Sequence, residues 1–401
     1  MNSSVHQQLP AAPAYGRNSV AEVLTSAAAA LGVPGFTNQL SLAPADRICV
    51  VLVDGLGSQL LKRRGGHAPF LRQAMDSAPV LSSAFPSTTA TSLASLGTGQ
   101  FPGAHGMVGY DVLDPDQDKV VNMLGGWDRH VDPLQWQPHR TVFEQVETEV
   151  PVATVSLPKF AESAMTRAAL RGGSFIPATT THAKTAAAAE AMADNRRMLM
   201  YLYFNELDRA GHRYGWGSAE WEHELEELDG AMRRLSAQLP SGTRLLLTAD
   251  HGMVDVPEAH RYDYSAVPSL VQGVRHTAGE PRMVHLYLEP DATERNRDQL
   301  ISAWQSAHGH EAWIMSRHEA IAAGYFGGTV SEKVLPRIGD VLIAAREPVA
   351  FYDTRRVRPA AMEVVGQHGS LTRAERNVPM LDIEVTGTAA RRIGTRKAVR
   401  G

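Results

Sequence analysis

The stretch Leu245-Leu246-Leu247-Thr248-Ala249-Asp250-His251-Gly252 carries the strongest indication of how this sequence folds. Its apolar start predicts a buried strand, and the carboxylate, imidazole and glycine that follow predict a strand end and a turn. Successive side chains of a strand point to opposite faces, so Asp250 and His251 can share one metal ion only beyond the strand end. For these residues alone, a plain surface turn is an equally good interpretation.

Other segments repeat this pattern of an apolar run followed by polar residues. Val51-Leu52-Val53 precedes Asp54, and Tyr203-Phe204 precedes Asn205-Glu206-Leu207-Asp208. In open α/β sheets ligands bind beyond the carboxyl ends of the strands, so these polar residues are expected to meet. Asp208 and His212 are four residues apart, which places them on one face of a helical turn. This pair suits one metal ion, although a surface Asp–His contact has the same spacing.

The whole chain predicts an α/β fold with a central, mainly parallel sheet and helices on both faces, because apolar β-branched runs alternate with helical patterns. The predicted strands are Ile48–Val53, Val80–Phe85, Val152–Ser156, Leu199–Phe204, Leu245–Thr248 and Met380–Val385. A helix capped by Ser218 is predicted from an apolar stripe at Trp221, Leu225, Leu228, Met232 and Leu235, and a second helix at Thr185–Ala193.

The pattern also divides the chain into segments. Residues 1–43 are predicted to form a polar N-terminal segment with a helix, residues 44–261 and 354–390 the α/β core, and residues 391–401 a basic tail. Residues 262–353 are predicted to form a small α+β insertion. Its predicted elements are a strand at Met283–Leu288, a helix at Glu294–Ala307 and a strand pair at Val341–Ala345 and Val349–Tyr352.

Composition limits the possible partners. The 401 residues include 39 basic and 43 acidic side chains, a net charge of −4, which gives no footprint for nucleic acid or an anionic membrane. We therefore expect a small-molecule partner. We expect no transmembrane helix and a cytoplasmic protein, since we find neither a long apolar stretch nor a signal-peptide pattern. The single Cys49 excludes an internal disulfide and a multi-cysteine zinc site. The sequence does not set the oligomeric state.

Two glycines after the first predicted strand raise the alternative of a dinucleotide-binding fold. Asp54-Gly55-Leu56-Gly57 resembles the start of a dinucleotide-binding turn, but Leu60 occupies the position of the third glycine. An acidic residue directly before the turn also favours a cation over a pyrophosphate.

The Thr-rich segment Ser87–Ser92 can begin a helix, whose free N–H groups favour an anion.

Several motifs together resemble one known family. They are Val53-Asp54-Gly55, Phe85-Pro86-Ser87-Thr88-Thr89, Thr98-Gly99, Pro102-Gly103-Ala104-His105-Gly106, Asp208-x3-His212, Asp250-His251-Gly252 and His368-Gly369. In this order, from about residue 47 to 370, they resemble the alkaline phosphatase superfamily. Within it, the chain is most similar to the nucleotide pyrophosphatase/phosphodiesterase (type I phosphodiesterase) branch.

The resemblance implies an alkaline-phosphatase-like fold and a hydrolase of phosphodiesters or pyrophosphates with a small phosphorylated substrate. It implies two Zn²⁺ ions, while Mn²⁺ or Fe suit the same oxygen and nitrogen ligands. It assigns Asp208, His212 and His368 to one ion and Asp54, Asp250, His251 and Thr89 to the other. Thr89 matches the family nucleophile, which implies a phosphothreonine intermediate.

Two positions depart from the family pattern. Ser92 stands where an Asn usually stabilises the phosphoryl group, and a hydroxyl can replace one of its hydrogen bonds. Ala90 stands where an aromatic residue often stacks on a nucleobase, so this part of the substrate site is predicted to differ. Tyr110, Phe160 and Trp127 are candidates either to line a substrate pocket or to pack in the core.

Other activities remain open at this level. A phosphomonoesterase, a phosphonate hydrolase, a mutase-like transferase and a non-catalytic metal-binding relative are alternatives. Three further histidines are given no part in the chemistry. We expect His105 to be a structural loop residue, and His276 and His285 to lie on the surface of the insertion.

Overall fold

The computed structural model describes residues 8–76, 78–125 and 127–387, so the predicted basic tail lies outside the described residues. The strands are β1 (Arg47–Val53), β2 (Val80–Ser82), β3 (Asp111–Asp114), β4 (Lys119–Asn122), β5 (Val152–Ser156), β6 (Ser174–Pro177), β7 (Met198–Phe204), β8 (Thr243–Thr248), β9 (Val254–Asp255), β10 (Arg261–Asp263), β11 (Val274–Glu280), β12 (Met283–Leu288), β13 (Ala312–Ser316), β14 (Val341–Ala345), β15 (Ala350–Tyr352), β16 (Gly366–Gln367) and β17 (Asn377–Ile383).

The α-helices lie between these strands and before the first of them. They are α1 (Ala21–Ala30), α2 (Ser58–Arg63), α3 (Pro69–Met75), α4 (Thr89–Thr98), α5 (Pro102–His105), α6 (Pro133–Trp136), α7 (Val142–Val146), α8 (Ala164–Ala169), α9 (Thr181–Asp194), α10 (Glu206–Tyr214), α11 (Ala219–Gln238), α12 (Glu294–His308), α13 (Arg317–Ala322) and α14 (Arg373–Arg376). No helix of the described residues is long and apolar enough to cross a bilayer.

A mixed, mostly parallel sheet forms the centre of the molecule, in the order β2-β17-β8-β1-β7-β5-β6. Strand β1 pairs in parallel with β7 on one side and β8 on the other, and β17 is antiparallel to β8 and to β2. Six of the seven residues of β1 are buried, as expected for a parallel strand covered by helices on both faces. The prediction of an α/β fold with a mainly parallel sheet is confirmed.

The register of the central strands places their carboxyl ends at one edge. Val53 is paired with Phe204 in β7, and Leu52 with Thr248 in β8. The residues that follow these strands therefore emerge side by side.

The predicted cap of helix α11 is also present: the Ser218 side chain accepts a hydrogen bond from the Trp221 amide at the start of this helix.

The N-terminal helix α1 belongs to the same hydrophobic core as the sheet. Val23, Leu24 and Ala27 are fully buried in it, and α1 packs against α4. Burial of these side chains stabilises α1 in place, since transfer of apolar surface out of water is the main favourable term in packing. Residues 21–30 thus support the helix that begins at Thr89.

The predicted strand Val80–Phe85 was too long. Only Val80–Ser82 pairs in the sheet, with β17. The Phe85 ring instead packs against Tyr325 and Phe326, with ring centroids 5.1 and 5.3 Å apart. Tertiary packing of this ring overrides the local strand propensity, and it turns the chain towards the start of α4.

The segment predicted to form the insertion, residues 262–353 and called the insertion below, contains a four-stranded antiparallel sheet in the order β11-β12-β14-β13, with α12 packed against β13. The predicted pairing of Val341–Ala345 with Val349–Tyr352 is wrong: β14 lies between β12 and β13, and β15 pairs in parallel with β10. Both edges of β14 are occupied, so β15 cannot pair with it, and the Arg282 guanidinium donates to the carbonyls of Ala345, Glu347 and Val349 between the two strands.

The insertion is covered on both faces, which corrects the expectation for one histidine. His285 in β12 is fully buried and accepts a hydrogen bond at Nδ1 from the Gly339 amide. Its neighbours Val284 and Leu286 point to the opposite face and are also buried. By contrast, His276 is partly exposed and contacts Asp118, with His276 Nε2 and Asp118 Oδ1 2.8 Å apart.

Candidate active site

The carboxyl ends of the parallel strands carry most of the candidate ligands. Asp54 directly follows β1, and Asp250 and His251 follow β8. Asp208 and His212 lie on α10, which begins two residues after β7. The aligned strand ends therefore bring together residues that are almost two hundred positions apart in the sequence.

Thr89 and His368 reach the same place from other elements. Thr89 is the first residue of α4, and the extended Thr88 precedes it. His368 follows β16, and its Nδ1 lies 3.0 Å from the Ser87 carbonyl oxygen. The Ser87 amide in turn donates to the Gly369 carbonyl at 3.0 Å. These two hydrogen bonds connect the nucleophile segment to the loop of His368.

Gly57 and Gly252 allow the loops after β1 and β8 to touch. A Cβ atom on Gly57 would lie 2.8 Å from the Gly252 Cα, and a Cβ atom on Gly252 would lie 2.0 Å from the Ala374 carbonyl oxygen. Only glycine permits so close an approach. The second glycine of Asp54-Gly55-Leu56-Gly57 therefore serves loop packing, and the dinucleotide-binding interpretation is not supported.

One group of possible ligands surrounds the Thr89 hydroxyl. His251 Nε2 lies 3.1 Å from Thr89 Oγ1, 3.3 Å from Asp54 Oδ1 and 3.5 Å from Asp250 Oδ2. Asp54 Oδ1 lies 3.5 Å from Thr89 Oγ1. Asp54, Asp250 and His251 each offer a ligand atom, and these atoms lie within 4.8 Å of one another.

A second group lies beside the first and shares His251 with it. Asp208, His251 and His368 also offer ligand atoms within 4.8 Å of one another. The His368 ring stacks on His251 with centroids 3.6 Å apart, and His212 Nε2 is 3.3 Å from Asp208 Oδ1. All six side chains assigned by the sequence, together with Thr89, are thus in one place.

The hydrogen bonds of the three histidines leave their Nε2 atoms free to bind a metal. Each Nδ1 faces a backbone carbonyl oxygen, that of Gly366 for His212, Gly252 for His251 and Ser87 for His368. A carbonyl can only accept, so Nδ1 carries the proton in each neutral ring and Nε2 carries the lone pair. Such backing of the far nitrogen is usual for metal-ligating histidines.

Within the ligand groups, two buried carboxylate oxygens have no partner among the described residues apart from loose ion-pair contacts to histidine: Asp208 Oδ1 and Asp250 Oδ2. Leaving a buried carboxylate oxygen unsatisfied costs about 1–3 kcal/mol or more. A divalent cation would satisfy both atoms. The oxygen and nitrogen donor set therefore fits metal ions of the zinc type.

The pKa values show how strongly these groups interact. Burial, reinforced by the charge of Asp54, raises the pKa of Asp208 to about 6 and that of Asp250 well above its usual range. Burial lowers the pKa of His251, but the charge of Asp250 and the hydrogen bond and charge of Asp54 outweigh it and raise the pKa to about 10. Three acids in one buried site thus attract positive charge, which a metal ion can supply instead of a proton.

A tyrosine that the sequence did not single out holds one of the ligands. The Tyr203 hydroxyl donates to Asp54 Oδ2, and the ring is almost completely buried. The same strand carries Tyr201, whose hydroxyl has no partner among the described residues, so no signal in the sequence singled out Tyr203. Tyr203 fixes the orientation of Asp54.

A cavity of about 600 Å³ opens beside Thr89. Asp54, Asp208 and His368 are among its lining residues. Its walls are largely apolar and aromatic, and they include Tyr110, Trp127, Phe160, Phe175, Tyr201 and Phe351. A phosphoryl group at Thr89 would therefore have an organic substituent in an apolar space.

The candidate substrate residues fall into two groups. Tyr110 and Phe160 line the cavity, Tyr110 with 38% of its surface exposed. Ala90 and Ser92 are buried and lie outside the lining, and Ser92 Oγ lies 3.0 Å from Ser83 Oγ. Ser92 therefore packs inside the core, and its expected contact with the phosphoryl group is not supported by its position.

His105 also lies apart from the ligand groups. It is fully buried, its Nδ1 accepts from the Met107 amide at 3.1 Å, and its Nε2 lies 2.9 Å from Ser95 Oγ. Both ring nitrogens are used within the loop and helix α4. This arrangement suits the structural role expected for it.

Comparison with known proteins places the chain in a family. Residues 48–371 match the model of the type I phosphodiesterase / nucleotide pyrophosphatase family. The chain belongs to this family. Membership supports a metal-dependent hydrolase that acts on small phosphoesters.

Individual relatives are distant. The chain is 28% identical over 221 residues to alkaline phosphatase PhoD of Zymomonas mobilis. The matched region covers 46% of this chain and 37% of that protein. The matched region therefore spans little more than a third of this curated relative.

Two solved structures show the same fold. Murine ectonucleotide pyrophosphatase / phosphodiesterase 5, in an inactive form with AMP, has a TM-score of 0.65 at 14% identity, covering 86% of this chain and 90% of that one. Phosphonoacetate hydrolase from Sinorhizobium meliloti has a TM-score of 0.64 at 18% identity, covering 84% and 90%. At these identities the similarity establishes the fold alone.

Proposed function

We propose that this protein is a two-metal phosphodiesterase or nucleotide pyrophosphatase that uses Thr89 as its nucleophile and forms a phosphothreonine intermediate. The observation that carries the proposal is the position of Thr89 Oγ1, 3.1 Å from His251 Nε2 and 3.5 Å from Asp54 Oδ1, in the lining of the cavity. A threonine hydroxyl is a weak nucleophile unless its environment removes the proton.

The residues that would hold the metal ions are proposed from the two ligand groups, from the contact of His212 with Asp208 and from the family resemblance, which assigns His251 to the ion at Thr89. One ion would be held by Asp54, Asp250, His251 and Thr89, and the other by Asp208, His212 and His368. We propose zinc, with manganese or iron as alternatives. When bound, such ions lower the pKa of the nucleophile and neutralise charge on the attacking and leaving oxygens.

The protein side chains then perform defined tasks. Thr89 loses its hydroxyl proton to water, its oxygen attacks phosphorus, and the bond from phosphorus to the leaving oxygen breaks; that oxygen departs on an alcohol, which takes up a proton, or on a phosphate. Water hydrolyses the phosphothreonine and restores the hydroxyl. The N-terminus of α4 presents backbone N–H groups beside Thr89, and these favour the anionic phosphoryl group.

Charge balance also supports a phosphoryl substrate. The carboxylates of Asp54, Asp208 and Asp250 and the Thr89 alkoxide supply four negative charges, which two divalent ions would neutralise. The three neutral imidazoles add no charge. An anionic substrate therefore meets a site near neutrality instead of the strong negative field of three buried acids.

Replacing Thr89 tests the proposal. With metal-loaded protein and a chromogenic phosphodiester, we expect Thr89→Ala to lower kcat by about 10³-fold or more, because the covalent route is lost. Thr91→Ala is the matched control: Thr91 is buried in the same helix, its hydroxyl has no partner among the described residues, and it should retain activity. Mass spectrometry of acid-quenched enzyme should locate a phosphoryl adduct on Thr89. Unchanged turnover in Thr89→Ala would exclude the proposed nucleophile.

A further inference from the structure

A buried acid in the wall of the cavity has no ionic partner among the described residues. Glu280, the last residue of β11, lines the cavity and is only 7% exposed. Its Oε2 accepts a hydrogen bond from the Tyr110 amide at 2.8 Å, which fixes the orientation of the carboxylate. Its Oε1 has no hydrogen-bond partner among the described residues.

The other acids of the cavity differ from Glu280. Asp111 Oδ2 lies 2.9 Å from Arg356 Nη2, and Asp353 Oδ2 lies 2.7 Å from Arg355 Nη2. The remaining acids of the lining, Asp54 and Asp208, belong to the metal-ligand groups. Glu280 belongs to neither group and forms no ion pair within the described part of the chain.

Gly369 brings Glu280 close to the reacting end of the cavity. A Cβ atom at position 369 would lie 2.4 Å from Glu280 Cγ and 2.7 Å from Glu280 Oε1, so glycine is required for this contact. Gly369 directly follows His368, one of the proposed metal ligands. The free oxygen therefore lies against the backbone of the residue that follows a proposed metal ligand.

An unpaired buried carboxylate is unfavourable, and the partner that best offsets this is a charged N–H donor. Charge-assisted hydrogen bonds are roughly twice as strong as neutral ones. Burial raises the pKa of Glu280 to about 8, so without a partner the acid is mostly uncharged at neutral pH, and a bound ammonium group would stabilise its ionised form. A quaternary ammonium group has no N–H to donate to Oε1, and a hydroxyl carries no charge. A primary ammonium group meets both requirements.

We propose that Glu280 binds a primary ammonium group in the organic part of the substrate, so that the preferred substrates are aminoalkyl phosphoesters. This inference rests on the proposed function, because the phosphoryl end must be held at Thr89. The apolar walls of the cavity suit the methylene chain between the two charged ends. Glu280 is thus a specificity-determining residue that lies outside the metal-ligand groups.

Binding to metal-loaded protein that carries Thr89→Ala tests the inference without turnover. Calorimetry compares 2-aminoethyl phosphate with propyl phosphate, in which a methyl group replaces the ammonium. The pair is repeated with 3-aminopropyl and butyl phosphate, since either chain length can suit the site. We expect at least one amine to bind about 10-fold more tightly than its alkyl analogue, the size of one charge-assisted hydrogen bond.

The added change Glu280→Gln should reduce this ratio to near one. The ratio of affinities is informative because a common change in phosphate affinity cancels. Glu289→Gln is the control, because Glu289 is exposed and lies in the same insertion, and this substitution changes the net charge by the same amount. The ratio of amine to alkyl affinity should persist in this variant. Equal affinities for amine and alkyl esters, or a ratio that survives Glu280→Gln, would overturn the inference.

Failure of the proposed function would look different. If the unmodified enzyme hydrolyses the chromogenic diester but does not discriminate between the paired ligands, only the assignment of Glu280 is wrong. If none of the four phosphate esters binds and no diester is hydrolysed, both the proposed function and the inference are wrong.

Discussion

Replacing Arg282 with methionine should destabilise the protein and weaken metal binding together. Arg282 and Glu375 are both fully buried, with Nε to Oε1 at 2.7 Å and Nη2 to Oε2 at 2.8 Å. The other Arg282 N–H groups donate to three backbone carbonyls of the insertion. Glu375 also accepts from the Ser370 amide at 3.0 Å, two residues after His368. The pair connects the insertion to the His368 loop.

The size of the effect follows from this burial. Removing one partner of a buried ion pair costs about 3–5 kcal/mol, because the other charge remains buried without compensation. Unfolding entropies of about 2.1 cal/mol/K per residue give about 0.8 kcal/mol/K for a chain of 401 residues. Arg282→Met should therefore lower the Tm by about 4–6 °C. Because the His368 loop loses its support, zinc affinity should fall by about 10–100-fold.

Differential scanning calorimetry and competition with a chromogenic chelator measure the two effects. Arg244→Met is the control, because the ion pair of Arg244 with Asp382 is partly exposed and should contribute less than about 1 kcal/mol. In a double-mutant cycle, Arg282→Met with Glu375→Gln should cost at least about 1 kcal/mol less than the sum of the single changes. Additive costs, or a Tm like that of the control, would refute this account of the pair.

Two more predictions concern the metal site itself. Tyr203→Phe removes the hydrogen bond to Asp54 and should weaken zinc binding by about 10-fold or more in the same chelator competition. Tyr201→Phe is the control: the Tyr201 hydroxyl has no partner among the described residues, so zinc affinity should not change. The pKa of His251 is higher in the folded protein, about 10, than in the unfolded chain, about 6.5, so protonated His251 stabilises the fold at low pH. The free energy of unfolding of the metal-free protein should therefore fall between about pH 6.5 and 10, as His251 releases its proton. Thermal denaturation across this range measures the loss, and a metal-free Tm that stays level would contradict the role of His251.

Much of the site could be predicted because its ligands follow strand ends. Asp54, Asp208 and Asp250 each come soon after a buried apolar run, and parallel strands in register deliver such residues to one edge. The spacing of Asp208 and His212 on one helical turn was also visible in the sequence. Here the local pattern was sufficient, since the sheet converts it directly into spatial proximity.

Other features depend on contacts between distant segments. Glu280 meets Tyr110 across 170 positions, and Arg282 meets Glu375 across 93. Strand β14 has β12 and β13 on its two edges, which leaves no edge for β15, and this is why the predicted strand pair was wrong. His285 was expected at the surface because one strand alone does not reveal whether both of its faces are covered.

The segment Leu245–Gly252 shows which features the sequence determines and which depend on the tertiary structure. By itself the sequence determined a buried strand that ends in Asp250 and His251, because apolar runs and turn residues act locally. Only the tertiary structure decided that these residues meet Thr89 and Asp54, and that His251 turns its Nε2 towards them. A ligand needs several side chains at fixed distances, and those distances are set by packing across the whole chain.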